Sequence, residues 1–247
     1  MRILGNRIEM DVPSPPPLSR LDEVLPLCRE VVDEEIVVAS RQAASEGRDV
    51  SCRQGCAACC KSQPVPVTPP EAFALAKWVA EREPSERDAI RDRFKQRVQA
   101  LEDAELVDIY FQDRSSMSRE EVRRVTDRYF QLRLECPFLV DDACSVYAQR
   151  PFVCRQYLVT SDPVHCEAPL ERPVSVLPMQ IKAASSLLKL SSMCLGKSQY
   201  TIPLILALEY VERFGRDLEE KFDSEMLFRT WLEQVCSQES KSQPQDR

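Results

Sequence analysis

Glycine is scarce in this chain, five residues in 247, and histidine occurs once, at His165. So few glycines leave no phosphate-cradling loop and no glycine-rich strand-to-helix turn of the kind that holds a dinucleotide or adenosyl group. One histidine and no G-x-S-x-G elbow remove the usual hydrolase constellations. Also missing is a run of about 18 apolar residues; the best stretch, Ile202 to Leu208, is too short for a bilayer, and no membrane partner is expected. Met1 to Asp11 contains no apolar core of secretory length, so the expected location is the cytoplasm. Positive charge is in deficit, with 33 Lys and Arg against 40 Asp and Glu. Nucleic acid is therefore not an expected partner, because phosphate contacts need concentrated basic residues.

Cysteine, by contrast, is abundant: eleven residues. In a reducing compartment such a set is not expected to form a disulfide framework, and metal ligation becomes the leading explanation. Cys28, Cys194 and Cys236 stand singly in helical patterns and read as small buried hydrophobes. The other eight form two groups. Cys52, Cys56, Cys59 and Cys60 make a C-x3-C-x2-C-C run within nine residues, which lets one loop present several sulfurs. Soft thiolates suit zinc and iron–sulfur clusters. Cys136, Cys144, Cys154 and Cys166 follow at gaps of seven, nine and eleven residues, which are unspecific in themselves. A hairpin can bring Cys136 and Cys144 near each other, with Cys154 just beyond.

Eight thiolates exceed one four-ligand centre, and the adjacent Cys59 and Cys60 cannot easily serve one ion in the same geometry. Either two centres exist or some thiols do not ligate; the spacing does not decide. Arg53, Lys61, Arg150 and Arg155 lie near cysteines in sequence, where cations would offset an anionic centre. His165, beside Cys166, reads as a surface or supporting residue because the thiols compete for any metal, with replacement of a cysteine as ligand the alternative.

Around these groups the pattern is helical, in a composition 43% hydrophobic and 30% charged. Cys28, Val32, Ile36, Ala39 and Ala43 recur at helical steps after Pro26, and Gly47 can end that helix. Thr68-Pro69-Pro70-Glu71 predicts a capped helix to about Arg82, and Ser85 to Asp88 a second start before Ile90, Phe94, Val98 and Leu101. Ser118 and Glu121 form another capping box. Two short apolar runs flank Asp141-Asp142, predicting a small β-hairpin in which those carboxylates are turn residues without a catalytic role. Helices are then expected over Met179 to Ser192, Ile202 to Phe214 with Gly215 as the stop, and Ser224 to Val235.

The expected fold is mainly α, a helical frame with a small β-hairpin and an embedded cysteine-rich metal-binding domain. Residues 20–236 are expected to form one compact unit, with the cysteine region at about 50–167. A flexible proline-rich leader at 1–19 and a disordered tail at 237–247 are expected to flank it.

The Cys52 to Cys60 run, followed by Cys136-Pro137-Phe138-Leu139, Cys144-Ser145-Val146-Tyr147, Arg150-Pro151 and Cys154-Arg155-Gln156-Tyr157, resembles the YkgJ-type cysteine-cluster family. That family is described as zinc- or iron-chelating, and the resemblance covers roughly Cys52 to Cys166. The same domain is similar to part of the flagellin lysine N-methylases, which transfer a methyl group from S-adenosylmethionine to protein lysines. This kinship implies an iron–sulfur cluster, [4Fe–4S] slightly ahead of zinc, with S-adenosylmethionine as cofactor and a protein as substrate if the chemistry is shared. The alternatives are a non-enzymatic zinc or iron scaffold, or metal storage, delivery or redox sensing. Cys52, Cys56 and Cys59 also match the spacing of radical S-adenosylmethionine enzymes, but the chain lacks their alternation of strands and helices, and Cys60 departs from their pattern.

Overall fold

The computed structural model describes residues 2–3, 6–9, 16–112 and 116–239. Nine residues of the expected leader, 1, 4–5 and 10–15, and the tail from 240 onward lie outside the described residues. The fold is mainly α, with helices α1 (Leu25–Ser45), α2 (Pro69–Ala80), α3 (Pro84–Asp103), α4 (Val107–Tyr110), α5 (Arg119–Gln131), α6 (Phe152–Gln156), α7 (Ala183–Leu195), α8 (Ala207–Phe214) and α9 (Ser224–Glu239). The strands are two residues each and pair antiparallel: β1 (Arg2–Ile3) with β2 (Asn6–Arg7), β3 (Leu18–Ser19) with β8 (Phe222–Asp223), β4 (Pro66–Val67) with β7 (Ile202–Pro203), and β5 (Leu139–Val140) with β6 (Ala143–Cys144). No helix among the described residues is long and apolar enough to cross a membrane.

Local chemistry accounts for most element boundaries. Thr68 and Ser118 each accept from the backbone three residues on, while Glu71 and Glu121 bond back to the cap, so both capping boxes form as expected. α1 begins with Pro26 in its first turn, and Gly47 takes a left-handed φ of 74° just past its end. The β5–β6 turn uses Asp141 and Asp142 at φ 49° and 56°, the doubly left-handed backbone that matches the strand twist in a two-residue hairpin.

Four boundaries differ from the expectation. α3 starts at Pro84, whose fixed φ suits a first helical position, so Ser85 lies inside the helix rather than capping it. α7 starts at Ala183 rather than near Met179, because the Ile181 N–H donates to the Glu35 carboxylate at 2.6 Å. Ile202 pairs as a strand instead of opening a helix; Pro203 disfavours helical backbone at the residue before it. Gly215 does not stop α8 through a left-handed turn but keeps φ −64° and leads into a 3-10 turn. A side chain there would meet Val211 Cγ1 at 3.0 Å, so the glycine answers close packing.

The central core gathers Leu25 and Val32 of α1, Leu75 of α2, Leu187 of α7 and Trp231 of α9, with Phe138 and Phe152 reaching in from the cysteine segments. α2 packs on α8, α7 on α9 and α1 on α6. A smaller cluster joins Leu101 and Leu106 to Tyr110 of α4 and Tyr129 of α5. Burial of such side chains contributes roughly 1.5–3 kcal/mol each, so the helical frame has a core of its own.

Candidate metal centre

Gly55 shapes the first cysteine loop. The Cys56 N–H donates to Arg53 O at 2.9 Å, closing a turn in which Gly55 sits at φ 84°, a backbone that costs glycine little. Cys59 and Cys60 follow on a 3-10 turn, Ala58–Lys61. That turn packs on a second 3-10 turn, Pro163–Glu167, which carries Cys166. Polar bonds join the two: Ser62 Oγ donates to Glu167 O at 3.0 Å and Gln63 Nε2 to Cys166 O at 3.0 Å. Upstream, Ser51 Oγ reaches the carbonyls of Val159 and Ser161, and the Val159 N–H points at Cys52 Sγ, 3.4 Å away. The Cys136 N–H donates to Cys60 O at 2.7 Å, so the hairpin segment also docks on the first loop.

Cys52, Cys56, Cys59, Cys60, Cys136, Cys144 and Cys154 line a single cavity of about 80 Å³, backed by Val65, Phe138, Val146 and Leu204. Cys166 lies behind this wall, buried against Ala58 and Val159 in a cluster that includes Cys52, Cys56 and Cys59. The eighth thiol thus groups with the first loop rather than with the hairpin that precedes it in sequence. All eleven cysteines are free thiols; of the three expected to be buried, Cys28 on α1 is fully so, while Cys194 and Cys236 are half-buried. Among the described residues, no three Cys, His, Asp or Glu side chains stand in a ready-made coordination arrangement.

The thiols differ in acidity. Desolvation pushes Cys136 up to about 12 and Cys166 up to about 11, and holds Cys154 well above the ordinary thiol value. Cys59 moves the other way, to about 7, because the Cys60 thiol hydrogen-bonds to it, against a desolvation cost and with further help from Arg150. Cys60, donor in that pair, is raised. Of the four nearby cations, Arg150 and Arg53 line the cavity. The Arg150 guanidinium stacks 3.8 Å over the Tyr147 ring, and its Nε is buried without a hydrogen-bond partner. Lys61 instead bridges Asp142 and Glu167, and Arg155 binds Asp33 of α1 at 2.7 and 2.9 Å. His165 faces away, its Nδ1 2.7 Å from Pro173 O, and does not line the cavity.

Residues without a cysteine signature hold the site to the frame. Along α1, Arg29 bonds Gln149, Asp33 bonds Arg155, and Glu35 accepts from Gln156 Nε2 at 2.8 Å. From α2, Glu71 accepts from Thr68 and from the Phe152 N–H at 2.7 Å, anchoring the start of the helix that bears Cys154. In the sequence these are ordinary polar positions of amphipathic helices. The one available signal was Glu71 in its capping box, which predicts a local bond and not its second, distant partner.

The donor set fits zinc or iron. It is soft and sulfur-only within the cavity, and an unpartnered guanidinium Nε lies where thiolate charge would accumulate. Residues 51–173 match the model of a family named CxxCxxCC and described as "Putative zinc- or iron-chelating domain". No curated protein and no solved structure matches the chain.

Proposed function

Through residues 51–173 the chain belongs to this cysteine-cluster family, and from that premise we propose that it holds zinc or iron in an all-thiolate centre built from Cys52, Cys56, Cys59, Cys60, Cys136, Cys144, Cys154 and Cys166. The observation carrying this reading is the convergence of seven of these thiols, from four separate backbone segments, on one small cavity. A bound metal would supply Lewis acidity, or electron transfer if it is an iron–sulfur cluster, and would link segments that share little regular structure. The chain's own residues do the rest. Ser51, Ser62 and Gln63 hold the loops in register, Glu71 and Glu35 fix the Cys154 segment, and Arg150 offsets thiolate charge. Anaerobic purification, elemental analysis and a visible spectrum test the proposal. Stoichiometric iron with acid-labile sulfide identifies the iron–sulfur form, zinc the other, and a metal-free folded protein overturns both.

A second reading is group transfer from S-adenosylmethionine to a protein lysine, as the methylase kinship implies. A cavity of about 80 Å³ is too small for that cofactor beside the thiols. The observation that favours transfer is a separate cleft of about 480 Å³ between α3 and α8, within the size range of small-molecule sites and lined by Phe94 and Leu208 together with Arg91, Lys95, Arg213, Glu102, Glu209 and Glu212. Equilibrium binding of labelled S-adenosylmethionine to the metal-loaded protein decides it: binding that Leu208→Trp blocks supports the reading, and no binding removes it.

A further inference from the structure

We propose that the eight thiols form two adjacent four-thiolate metal sites, Cys52, Cys56, Cys59 and Cys166 in one and Cys60, Cys136, Cys144 and Cys154 in the other, meeting at the Cys59–Cys60 peptide. The proposal rests on the metal-chelating reading above and adds the number of centres and the ligands of each.

Packing distinguishes the two sets although both line one cavity. Cys166 does not line it and shares a cluster with Cys52, Cys56 and Cys59 around Ala58 and Val159. The docking of one 3-10 turn on the other and the Gln63 bond to Cys166 O hold it there. On the other side, Cys136 and Cys144 pack against the central core and not within that cluster. The Cys136 N–H bond to Cys60 O brings the hairpin to Cys60, and the register opposing Cys144 to Leu139 turns its end back toward the same wall. Cys154 completes this set from α6, whose start Glu71 fixes.

Coordination chemistry agrees with the division. A divalent ion in a tetrahedral thiolate site uses four sulfurs, so a single ion would leave four of these eight idle. Two such sites would each carry a formal charge of −2, and Arg150 lies within Coulombic reach of Cys52 and Cys59 in one set and of Cys144 and Cys154 in the other. Its buried, unpartnered Nε suits a group that serves both.

The test is a cobalt(II) titration of the full chain, freed of metal by a chelator and kept reduced, following thiolate-to-cobalt charge transfer and the visible bands of tetrahedral cobalt. The expected end point is two equivalents per chain, with Cys166→Ser and Cys144→Ser each keeping one and Cys28→Ser keeping two. A wild-type end point at one equivalent overturns the two-site division while leaving metal binding intact. No tetrahedral thiolate signal at all overturns both. Because the wild-type end point alone discriminates, the result stands even where a substituted chain fails to fold.

Discussion

Arg150 lines the thiol cavity, and its charge would offset that of the proposed centre. Its guanidinium stacks on Tyr147 there, so losing the charge should weaken the hold on metal more than it weakens the fold. Arg150→Met should lower metal affinity by roughly tenfold, read by competition with a chromophoric chelator, while the circular dichroism of the loaded protein stays unchanged. Glu71 acts through geometry. It is 2% exposed and accepts only from donors, so Glu71→Gln turns an amide N–H toward one of them. The expected cost is about 2 kcal/mol in urea unfolding, larger than that of Arg123→Ala on an exposed helix face.

Glu35 carries a pH signature. Burial raises its carboxyl above the ordinary value, outweighing the bonds from Ile181 and Gln156 that lower it. In the folded protein it therefore takes up its proton before the unfolded chain does as pH falls. The associated stability is fully present below the unfolded value of about 4.3 and is lost as pH rises through the folded one. Unfolding free energy should fall more steeply between about pH 4.3 and neutrality in the wild type than in Glu35→Gln. Parallel curves from urea titrations at several pH values would count against the assignment.

Among the elements, the hairpin was readable because two apolar runs and a turn pair are local, and its geometry adds a prediction. Both turn residues hold positive φ without being glycine. Asp142→Gly should relieve that backbone and stabilise the protein by about 0.5–1 kcal/mol, provided the loss of the exposed Lys61 ion pair matters little; thermal unfolding checks it. The two capping boxes were equally local and equally readable. Pro203 argued locally against helix at Ile202, but the strand pairing of Ile202 and the start of α7 were not readable, since both depend on distant partners, Val67 for one and Glu35 for the other. Helical periodicity could not register a competitor more than a hundred residues away.

At the scale of the molecule, the same limit applies to the site. The nine-residue cysteine run announced itself, whereas the place of Cys166 depends on how two 3-10 turns dock and has no trace in its eleven-residue gap from Cys154. The structure also sets a helical frame beside cysteine segments that are held by a few buried anchors such as Phe138 and Phe152 and by scattered polar bonds. Removing metal should therefore loosen residues 51–67 and 134–173 while the helical core persists. Hydrogen exchange should show faster amides at Val159 and Cys136 after chelation, with those of Leu187 and Trp231 little changed.

The separation of the thiols along the chain also sets an order of events during synthesis. About a hundred residues lie between Cys60 and Cys166, and at about 5–20 residues per second the ribosome needs on the order of 5–20 s to make them. For most of that interval the first loop is a nascent run of four sulfurs with no hairpin and no Arg150 beside it, and for all of it there is no Cys166 turn. Those thiols are then open to oxidants and to whichever thiophilic ion arrives first. If the eight thiols act together, the cell that makes this protein must keep its newborn cysteines reduced until the later four emerge.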